Sequence, residues 1–138
     1  MRKCLFCEIV SRAVEAEIVF ESGLALAFLD HRPLFPGHVL LVPKAHVETL
    51  ADLPAADLAG FFSAVQKIER AVELAMESEG SFIAINNKVS QSVPHLHVHI
   101  VPRNKGDGLK GFFWPRRSYD SEAALRETGA RLRRAIER

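Results

Sequence analysis

The sequence has no excess of either charge, and it lacks the long apolar runs that mark membrane proteins. Its 138 residues carry 18 Lys and Arg against 17 Asp and Glu, for a formal net charge of +1 at pH 7. A balance this close gives no electrostatic reason for nucleic acid as an obligate partner. No apolar run reaches the roughly 18 residues that a membrane helix needs. We therefore expect neither a membrane nor an obligate nucleic acid among the partners.

Cysteine is also scarce, since Cys4 and Cys7 are the two cysteines of the chain. The N-terminal stretch that holds them has no long apolar segment, because Glu8 interrupts it. We therefore expect no secretory signal and a cytoplasmic location. In that compartment the pair is more typical of free thiols or metal ligands than of a disulfide. The 48% hydrophobic content suits one compact domain over residues 1–138.

What the sequence does contain is several short strand-like segments with one long helical segment among them. The pattern predicts two strands within 16–29, a loop over 30–37, and further strands at 38–42, 81–86 and 96–101. Helical spacing predicts a long helix over 54–77, with Pro54 in its first turn and Gly80 at its stop. Its apolar stripe comprises Leu58, Phe61, Phe62, Val65, Ile68, Val72, Ala75 and Met76. An arginine-rich helix is predicted over 121–137. Strands in runs favour an α+β domain with an antiparallel sheet.

Three alternating histidines, His95, His97 and His99, are the most informative pattern. On a strand, alternate side chains share a face, so these imidazoles project together at intervals of about 6.6 Å. The apolar residues between and after them then pack into the core. Two simpler interpretations stay open from the residues alone. The histidines face solvent, or they form a three-histidine metal site of the kind that catalytic zinc uses.

The segment His95-Leu96-His97-Val98-His99-Ile100-Val101 resembles the signature of the histidine-triad family. The resemblance extends over nearly the whole chain. The stretches 4–9, 27–30 and 36–46 are similar to the family's N-terminal segment and to its nucleotide-pocket strands and loop. The resemblance implies that family's α+β fold, an antiparallel sheet with one long helix and a C-terminal helix.

The resemblance also implies a mechanism. The middle histidine, His97, would attack the α-phosphorus of a nucleotide, and water would hydrolyse the covalent nucleotidyl-histidine. Neutral imidazole suits this role, because its unperturbed pKa is about 6.5. His99 and His38 would lie beside the phosphate oxygens and stabilise developing charge. Ser92 matches a family serine that contacts phosphate or the leaving group, although a turn residue at the strand entry is the simpler interpretation.

The resemblance implies a purine nucleotide as substrate. Asp30 matches the position that accepts hydrogen bonds from the ribose hydroxyls, and its alternative is a turn aspartate. Apolar residues would wall the base pocket, and these are Phe6, Ile9, Phe28, Leu29 and Leu41. Asn86 and Gln91 are further candidates for nucleotide contacts. The loop 86–92 differs from many family versions, because it is shorter and has no glycine. The resemblance therefore does not identify which leaving group the protein would accept. Trp114 and Arg116 would line the leaving-group side or simply fill the core.

Cys4 and Cys7 have the spacing of half a zinc site. The resemblance implies His46 and His95 as the other two ligands of a structural zinc. Four protein ligands would close the site, and His95 would then be unavailable to a catalytic zinc. The alternative is a pair of idle thiols with no metal.

Several functional interpretations remain open. An enzyme of this kind would cleave either a dinucleoside polyphosphate or a nucleoside phosphoramidate. A nucleotide-binding interaction protein with little catalysis and a nucleotidyltransferase are the alternatives. The resemblance further implies a symmetric homodimer with a contribution from the helix over 54–77.

Overall fold

The structure is a computed structural model that describes residues 3–109 and 116–137. These residues fall into two compact units that meet in sequence at Asp107 and Gly108. The first unit contains α1 (Leu5–Val10), β1 (Ile18–Glu21), β2 (Ala25–Leu29), β3 (Val39–Pro43), a short 3-10 helix (Leu50–Asp52), α2 (Ala55–Met76), β4 (Gly80–Ala84) and β5 (Val98–Arg103). The second unit contains α3 (Glu122–Ile136).

The five strands form one antiparallel sheet in the order β1-β2-β3-β5-β4. The register places Phe28 opposite Leu40 and Leu40 opposite His99. These three residues therefore form a row across three strands and point to the same face of the sheet. The α+β class with an antiparallel sheet, predicted from the sequence, is confirmed.

Each face of the sheet carries an apolar layer, because successive strand residues point to opposite sides. One layer packs against α2 and comprises residues such as Ala27, Leu41, Val98, Ile100, Phe61, Val65 and Ile68. The other layer packs against α1 and comprises Phe6, Ile9, Leu26, Phe28, Leu40 and Val42. The face toward α1 is the one that carries His99 and the candidate site.

The long helix agrees closely with its prediction but ends differently. It stops where Glu77 adopts a left-handed conformation with φ of 51°, three residues before Gly80, which instead begins β4. The buried stripe is Phe61, Ala64, Val65, Ile68 and Val72. Leu58, Phe62 and Met76, expected in that stripe, are exposed. The apolar arc that meets the sheet is thus narrower than the sequence pattern indicates.

Two local features differ from the sequence analysis. The short helix α1 was not predicted. The strand β5 begins at Val98, so His95 and His97 lie just before it. The alternation nevertheless extends through this entry, because Leu96 packs in the same layer as Val98. In the part of the chain that the structure describes, no helix is both long and apolar enough to cross a membrane.

Candidate active site and metal centre

A cavity of about 680 Å³ opens on the face of the sheet that α1 covers. Its apolar walls come from α1, from the segment after α1 and from the middle of the sheet, and they comprise Leu5, Phe6, Ile9, Val14, Ala16, Phe28, Leu29, Leu40 and Val93. Its polar lining comprises Glu15, Glu17, Asp30, His31, Ser92, His97 and His99. An apolar cavity with a few convergent polar groups is typical of a small-molecule site.

His97 is held in one orientation by the backbone. Its Nδ1 lies 2.7 Å from the carbonyl oxygen of His95, and it must donate there because a carbonyl can only accept. The opposite nitrogen, Nε2, is therefore unprotonated in the neutral ring. The ring is 3% exposed and stacks edge-on against Phe6 at 5.0 Å between centroids. Burial lowers the pKa of His97 below its ordinary value. The result is a neutral imidazole with a free lone pair at the cavity.

His99 lies beside His97, with 5.0 Å between the ring centroids. This spacing is shorter than the expected repeat of about 6.6 Å along a strand, and the two ring planes meet at 65°. Burial, with His97 and His38 adding, lowers the pKa of His99 to about 4. The rings of His97 and His99 at the cavity are therefore uncharged at neutral pH.

His38 lies behind His99 rather than at the cavity surface. It is 3% exposed, and it is absent from the cavity lining. Its Nε2 lies 3.0 Å from Nδ1 of His99, and its Nδ1 accepts a hydrogen bond of 3.1 Å from the backbone N–H of Leu34. Burial lowers the pKa of His38 as well. The structure thus brings His38 to His99 and leaves neither of its nitrogens free for a phosphate.

The predicted nucleotide-binding residues separate into two groups. Asp30, Phe6, Phe28 and Ser92 line the cavity with His97 and His99. Asp30 also accepts the backbone N–H of Arg32 at 2.9 Å, so it serves in a turn as well.

Asn86 and Gln91 do not belong to the cavity lining. The Gln91 amide donates to the carbonyl of Glu48 at 2.6 Å and accepts from the N–H of Lys88 at 2.9 Å. Its side chain therefore braces the loop that leads to Ser92.

The prediction that Leu41 lines the base pocket is wrong. Leu41 points into the layer against α2, and Leu40 lines the cavity instead. The reason is the strand period of two, since a shift of one residue moves a side chain to the other face. Sequence reasoning also missed Glu15 and Glu17. The alternation of apolar and acidic residues over 14–18 was the available signal, because its apolar members pack against the layer under α1.

Four side chains of the kinds that can bind a metal lie together, with their ligand atoms within 4.8 Å of one another: Cys4, Cys7, His46 and His95. The nitrogen Nδ1 of His95 lies 3.4 Å from the Cys4 sulfur, 3.5 Å from the Cys7 sulfur and 3.2 Å from Nδ1 of His46. Zn–S bonds of about 2.3 Å and Zn–N bonds of about 2.0–2.1 Å at a tetrahedral centre separate ligands by about 3.3–3.8 Å. The ligand atoms thus have nearly the spacing of a tetrahedral metal site.

The protonation of this cluster suits a cation. Nε2 of His95 lies 2.8 Å from the Pro43 carbonyl, to which it must donate, so Nδ1 is unprotonated and faces the two sulfurs. Burial, with the Cys4 sulfur adding, raises the pKa of the Cys7 thiol to about 11. A cation would be needed to hold the Cys7 thiol as a thiolate at neutral pH. Among the described residues, neither candidate metal group includes His97, which disfavours the three-histidine metal site.

Trp114 and Arg116 were predicted to line the leaving-group side or to fill the core. Trp114 lies outside the described residues, and Arg116 is exposed in the second unit.

The sequence matches known proteins along most of its length. The model of the HIT domain matches residues 11–106. The asymmetrical bis(5'-nucleosyl)-tetraphosphatase of Schizosaccharomyces pombe is 38% identical over 96 residues, covering 68% of this chain and 53% of the relative. The adenylylsulfatase HINT3 of Arabidopsis thaliana is 34% identical over 108 residues, covering 77% of this chain and 55% of the relative. This chain spans about half the length of these two relatives.

Solved structures share the fold. A HIT family protein from Bacillus subtilis has a TM-score of 0.88 at 34% identity, with 96% of each chain covered. A Zn-bound histidine triad family protein from Mycobacterium smegmatis has a TM-score of 0.72 at 38% identity, also with 96% of each chain covered. The match to the family model, together with these structures, shows that the chain belongs to the HIT domain family.

Proposed function

We propose that this protein is a nucleotide hydrolase that cleaves at the α-phosphorus of a purine nucleotide conjugate through a covalent bond to His97. One observation carries the proposal. The hydrogen bond from Nδ1 of His97 to the His95 carbonyl leaves the Nε2 lone pair free at a cavity of nucleotide size. A neutral, oriented imidazole is a nucleophile at pH 7.

The chemistry would run in two displacements. The lone pair of His97 Nε2 forms a bond to phosphorus, and the bond from phosphorus to the leaving group breaks with its electron pair. The leaving group takes up a proton from solvent, and the His97 ring is positively charged while it is bonded to phosphorus. Water then attacks phosphorus and releases a proton to solvent, the P–N bond breaks with its electron pair returning to Nε2, and nucleoside monophosphate departs with His97 restored. An N–H of His99, at the same cavity, would stabilise the charge that develops on the phosphoryl oxygens.

The remaining cavity residues would hold the nucleotide. Phe6 and Phe28 would contact the base from the apolar end, and the Asp30 carboxylate would accept from the ribose hydroxyls. Ser92 would contact the phosphate or leaving group. We keep Asn86 and Gln91 as predicted nucleotide contacts, although in this structure Gln91 supports the loop instead.

The two curated relatives support hydrolysis of a nucleotide conjugate but differ in the leaving group. One is named for a dinucleoside tetraphosphate and the other for an adenylyl sulfate. For this chain we propose dinucleoside polyphosphates and nucleoside phosphoramidates as the two substrate classes to test.

The test is a substrate panel with diadenosine tetraphosphate, diadenosine triphosphate and an adenosine phosphoramidate, run beside His97→Ala. We expect release of adenosine monophosphate from at least one substrate and loss of that release in the variant. The variant should melt within a few degrees of the unaltered protein, so that lost activity is not lost folding. Binding without turnover would favour a nucleotide-binding interaction protein. Transfer of the nucleotide to added phosphate would favour a nucleotidyltransferase.

We also propose that Cys4, Cys7, His46 and His95 hold a structural zinc. The ligand spacing supports this proposal, as does the Zn-bound relative from Mycobacterium smegmatis. When bound, zinc would supply a closed four-ligand crosslink and no catalytic step. The Pro43 carbonyl orients His95 for this role.

We further propose a cytoplasmic homodimer. The strand β4 lies at the edge of the sheet, and α2 exposes Leu58 and Phe62, which supports an interface along this side. Light scattering at micromolar concentration should give twice the chain mass, and a monomer would contradict the dimer.

A further inference from the structure

A chain of hydrogen bonds runs from the backbone into the cavity. The N–H of Leu34 donates to Nδ1 of His38 at 3.1 Å. On the other side of the same ring, Nε2 of His38 lies 3.0 Å from Nδ1 of His99. A backbone amide and two imidazoles are thus joined in series.

The first donor fixes the position of every proton in the series. A backbone N–H can only donate, so Nδ1 of His38 must be unprotonated. Neutral His38 then carries its proton on Nε2 and donates it to Nδ1 of His99. Neutral His99 in turn carries its proton on Nε2. The reverse arrangement would point a second proton at the Leu34 N–H.

The last nitrogen of the series opens to the cavity. Nε2 of His99 has no hydrogen-bond partner in the described part of the chain. Every buried side-chain nitrogen there does have a partner, so Nε2 of His99 must be accessible to solvent. His99 lines the cavity, so this N–H faces the space where a phosphate would lie. The same reasoning places the bare Nε2 of His97 at the cavity. The two neighbouring rings therefore present one donor and one lone pair.

Competing acceptors for the His38 proton are too far away. The nearest carboxylate oxygen, of Asp30, is 3.8 Å from Nε2 of His38, beyond hydrogen-bond range.

The loop that holds Leu34 is itself closed by two backbone hydrogen bonds, from Asp30 N–H to the His38 carbonyl at 2.9 Å and from His38 N–H to the Phe35 carbonyl at 3.1 Å. The donor is therefore fixed in relation to the ring that it contacts.

The same side chains resemble a second metal site, and the backbone donor disfavours that interpretation. Ligand atoms of Asp30, His38 and His99 lie within 4.8 Å of one another. A neutral His38 bound to metal through Nε2 would carry its proton on Nδ1. That proton would face the N–H of Leu34 at 3.1 Å, two donors against each other. A hydrogen-bonded series of neutral imidazoles fits these contacts and a cation bound to His38 does not.

We propose that the backbone N–H of Leu34, acting through His38, holds the proton of His99 on Nε2, the nitrogen that faces the substrate phosphate. His38 is then a positioning residue, and the loop over 30–37 determines that His99 presents a hydrogen-bond donor, not an acceptor, to the cavity. The catalytic consequence rests on the proposed function, whereas the proton arrangement does not.

The direct test is the tautomeric state of the histidines in the full-length protein, read from long-range proton–nitrogen spectra of 15N-histidine-labelled samples. We expect His38 and His99 to carry the proton on Nε2 and His97 to carry it on Nδ1. Leu34→Pro removes the N–H, and Leu34→Ala is the matched control because it shortens an exposed side chain and keeps the N–H. The proline variant should give mixed His99 tautomers, while the alanine variant keeps the single state.

A second pair of variants covers the case in which Leu34→Pro fails to fold. His38→Gln retains a side-chain N–H near the position of Nε2 and should keep His99 in its single state. His38→Leu removes the donor and should give the mixture. A His99 proton on Nδ1 in the unaltered protein would overturn the proposal, and so would an unmixed Nε2 state in both Leu34→Pro and His38→Leu.

Activity gives a further readout that is separable from the spectra. With a substrate from the panel, kcat of Leu34→Pro should fall about threefold to tenfold below that of Leu34→Ala, the factor that one neutral hydrogen bond gives, with little change in KM. Equal kcat values would contradict the catalytic part. If no substrate turns over, the proposed function fails, and the spectra still decide whether the backbone sets the proton.

Discussion

At the scale of single residues, the structure divides the histidines by which nitrogen each gives to the backbone. His95 donates from Nε2 to Pro43 and presents Nδ1 to the cysteines. His97 donates from Nδ1 to His95 and presents Nε2 to the cavity. The sequence could predict the alternation, because it follows from the strand period. It could not predict which ring nitrogen of each histidine carries the proton, because that depends on the positions of the backbone carbonyls. It also could not predict the contact of His38 with His99, because the strand register sets it across 61 residues.

One residue-scale prediction concerns pH. The pKa of His99 is lowered to about 4, chiefly by burial, whereas the group titrates near 6.5 in an unfolded chain. Between these values the unfolded chain binds more protons than the folded one. The free energy of unfolding should therefore fall as the pH drops from about 6.5 toward about 4. Thermal melts of the protein and of His99→Gln across this range test it, and the variant should lose less stability. Parallel curves would contradict the burial of a neutral His99.

A second residue-scale prediction concerns the glycine before His38. Gly37 has φ of +95°, and a Cβ there would lie 2.6 Å from Cγ of Met76. Gly37→Ala should lower the free energy of unfolding by about 1–3 kcal/mol, because alanine resists this conformation. Gly23→Ala is the control, since a Cβ there meets nothing within 4 Å. Urea unfolding of both variants measures the difference, and equal midpoints would count against the strained turn.

At the scale of elements, the strands and α2 could be predicted because each carries its own periodic apolar pattern. The helix α1 could not. A helix of 6 residues has almost no stability of its own. It forms because Cys4 caps it, with the sulfur accepting from the N–H of Cys7. Its own Phe6 and Ile9 also pack against the apolar residues of the sheet. Its existence depends on the sheet below.

The side chains of Cys4, Cys7, His46 and His95, the proposed zinc ligands, connect α1 to the segment after β3 and to the entry of β5. Cys7→Ser should reduce bound zinc from about one equivalent to a small fraction and lower the melting temperature. Chelator should lower the melting temperature of the unaltered protein in the same way, because bound metal stabilises the folded state. Ser63→Ala, which removes an exposed hydroxyl on α2 away from the four side chains, is the control. Metal analysis and calorimetry on one preparation check both outcomes, and a metal-free protein of unchanged stability would contradict the site.

At the scale of the whole first unit, one face of the sheet packs against α2 and the other face carries the cavity. The layer against α2 is a packed apolar core, whereas the layer against α1 opens into the cavity. The described lining of that cavity contains no lysine or arginine, and Glu15, Glu17 and Asp30 give it an acidic character. The sequence could not reveal this, because a net charge of +1 says nothing of where charges gather.

This charge distribution predicts how substrates rank. The double variant Glu15→Gln, Glu17→Gln removes repulsion toward a polyphosphate chain. KM for diadenosine tetraphosphate should fall by about twofold to fivefold, an effect of exposed charges that salt weakens. KM for a phosphoramidate, with fewer negative charges, should change less. Steady-state kinetics at low and high salt test this, and an equal change for both substrates would contradict an electrostatic cause.

The central claim is that His97 becomes covalently bonded to a nucleotide. Rapid acid-free quenching of the protein with an adenylyl substrate, followed by proteolysis and mass spectrometry, measures it most directly. We expect an adenylyl group on the peptide that contains His97, at Nε2, and none on that peptide in His97→Ala. Turnover of the substrate with no adenylylated His97 at any quench time, or an adenylyl group on His99 instead, would contradict it.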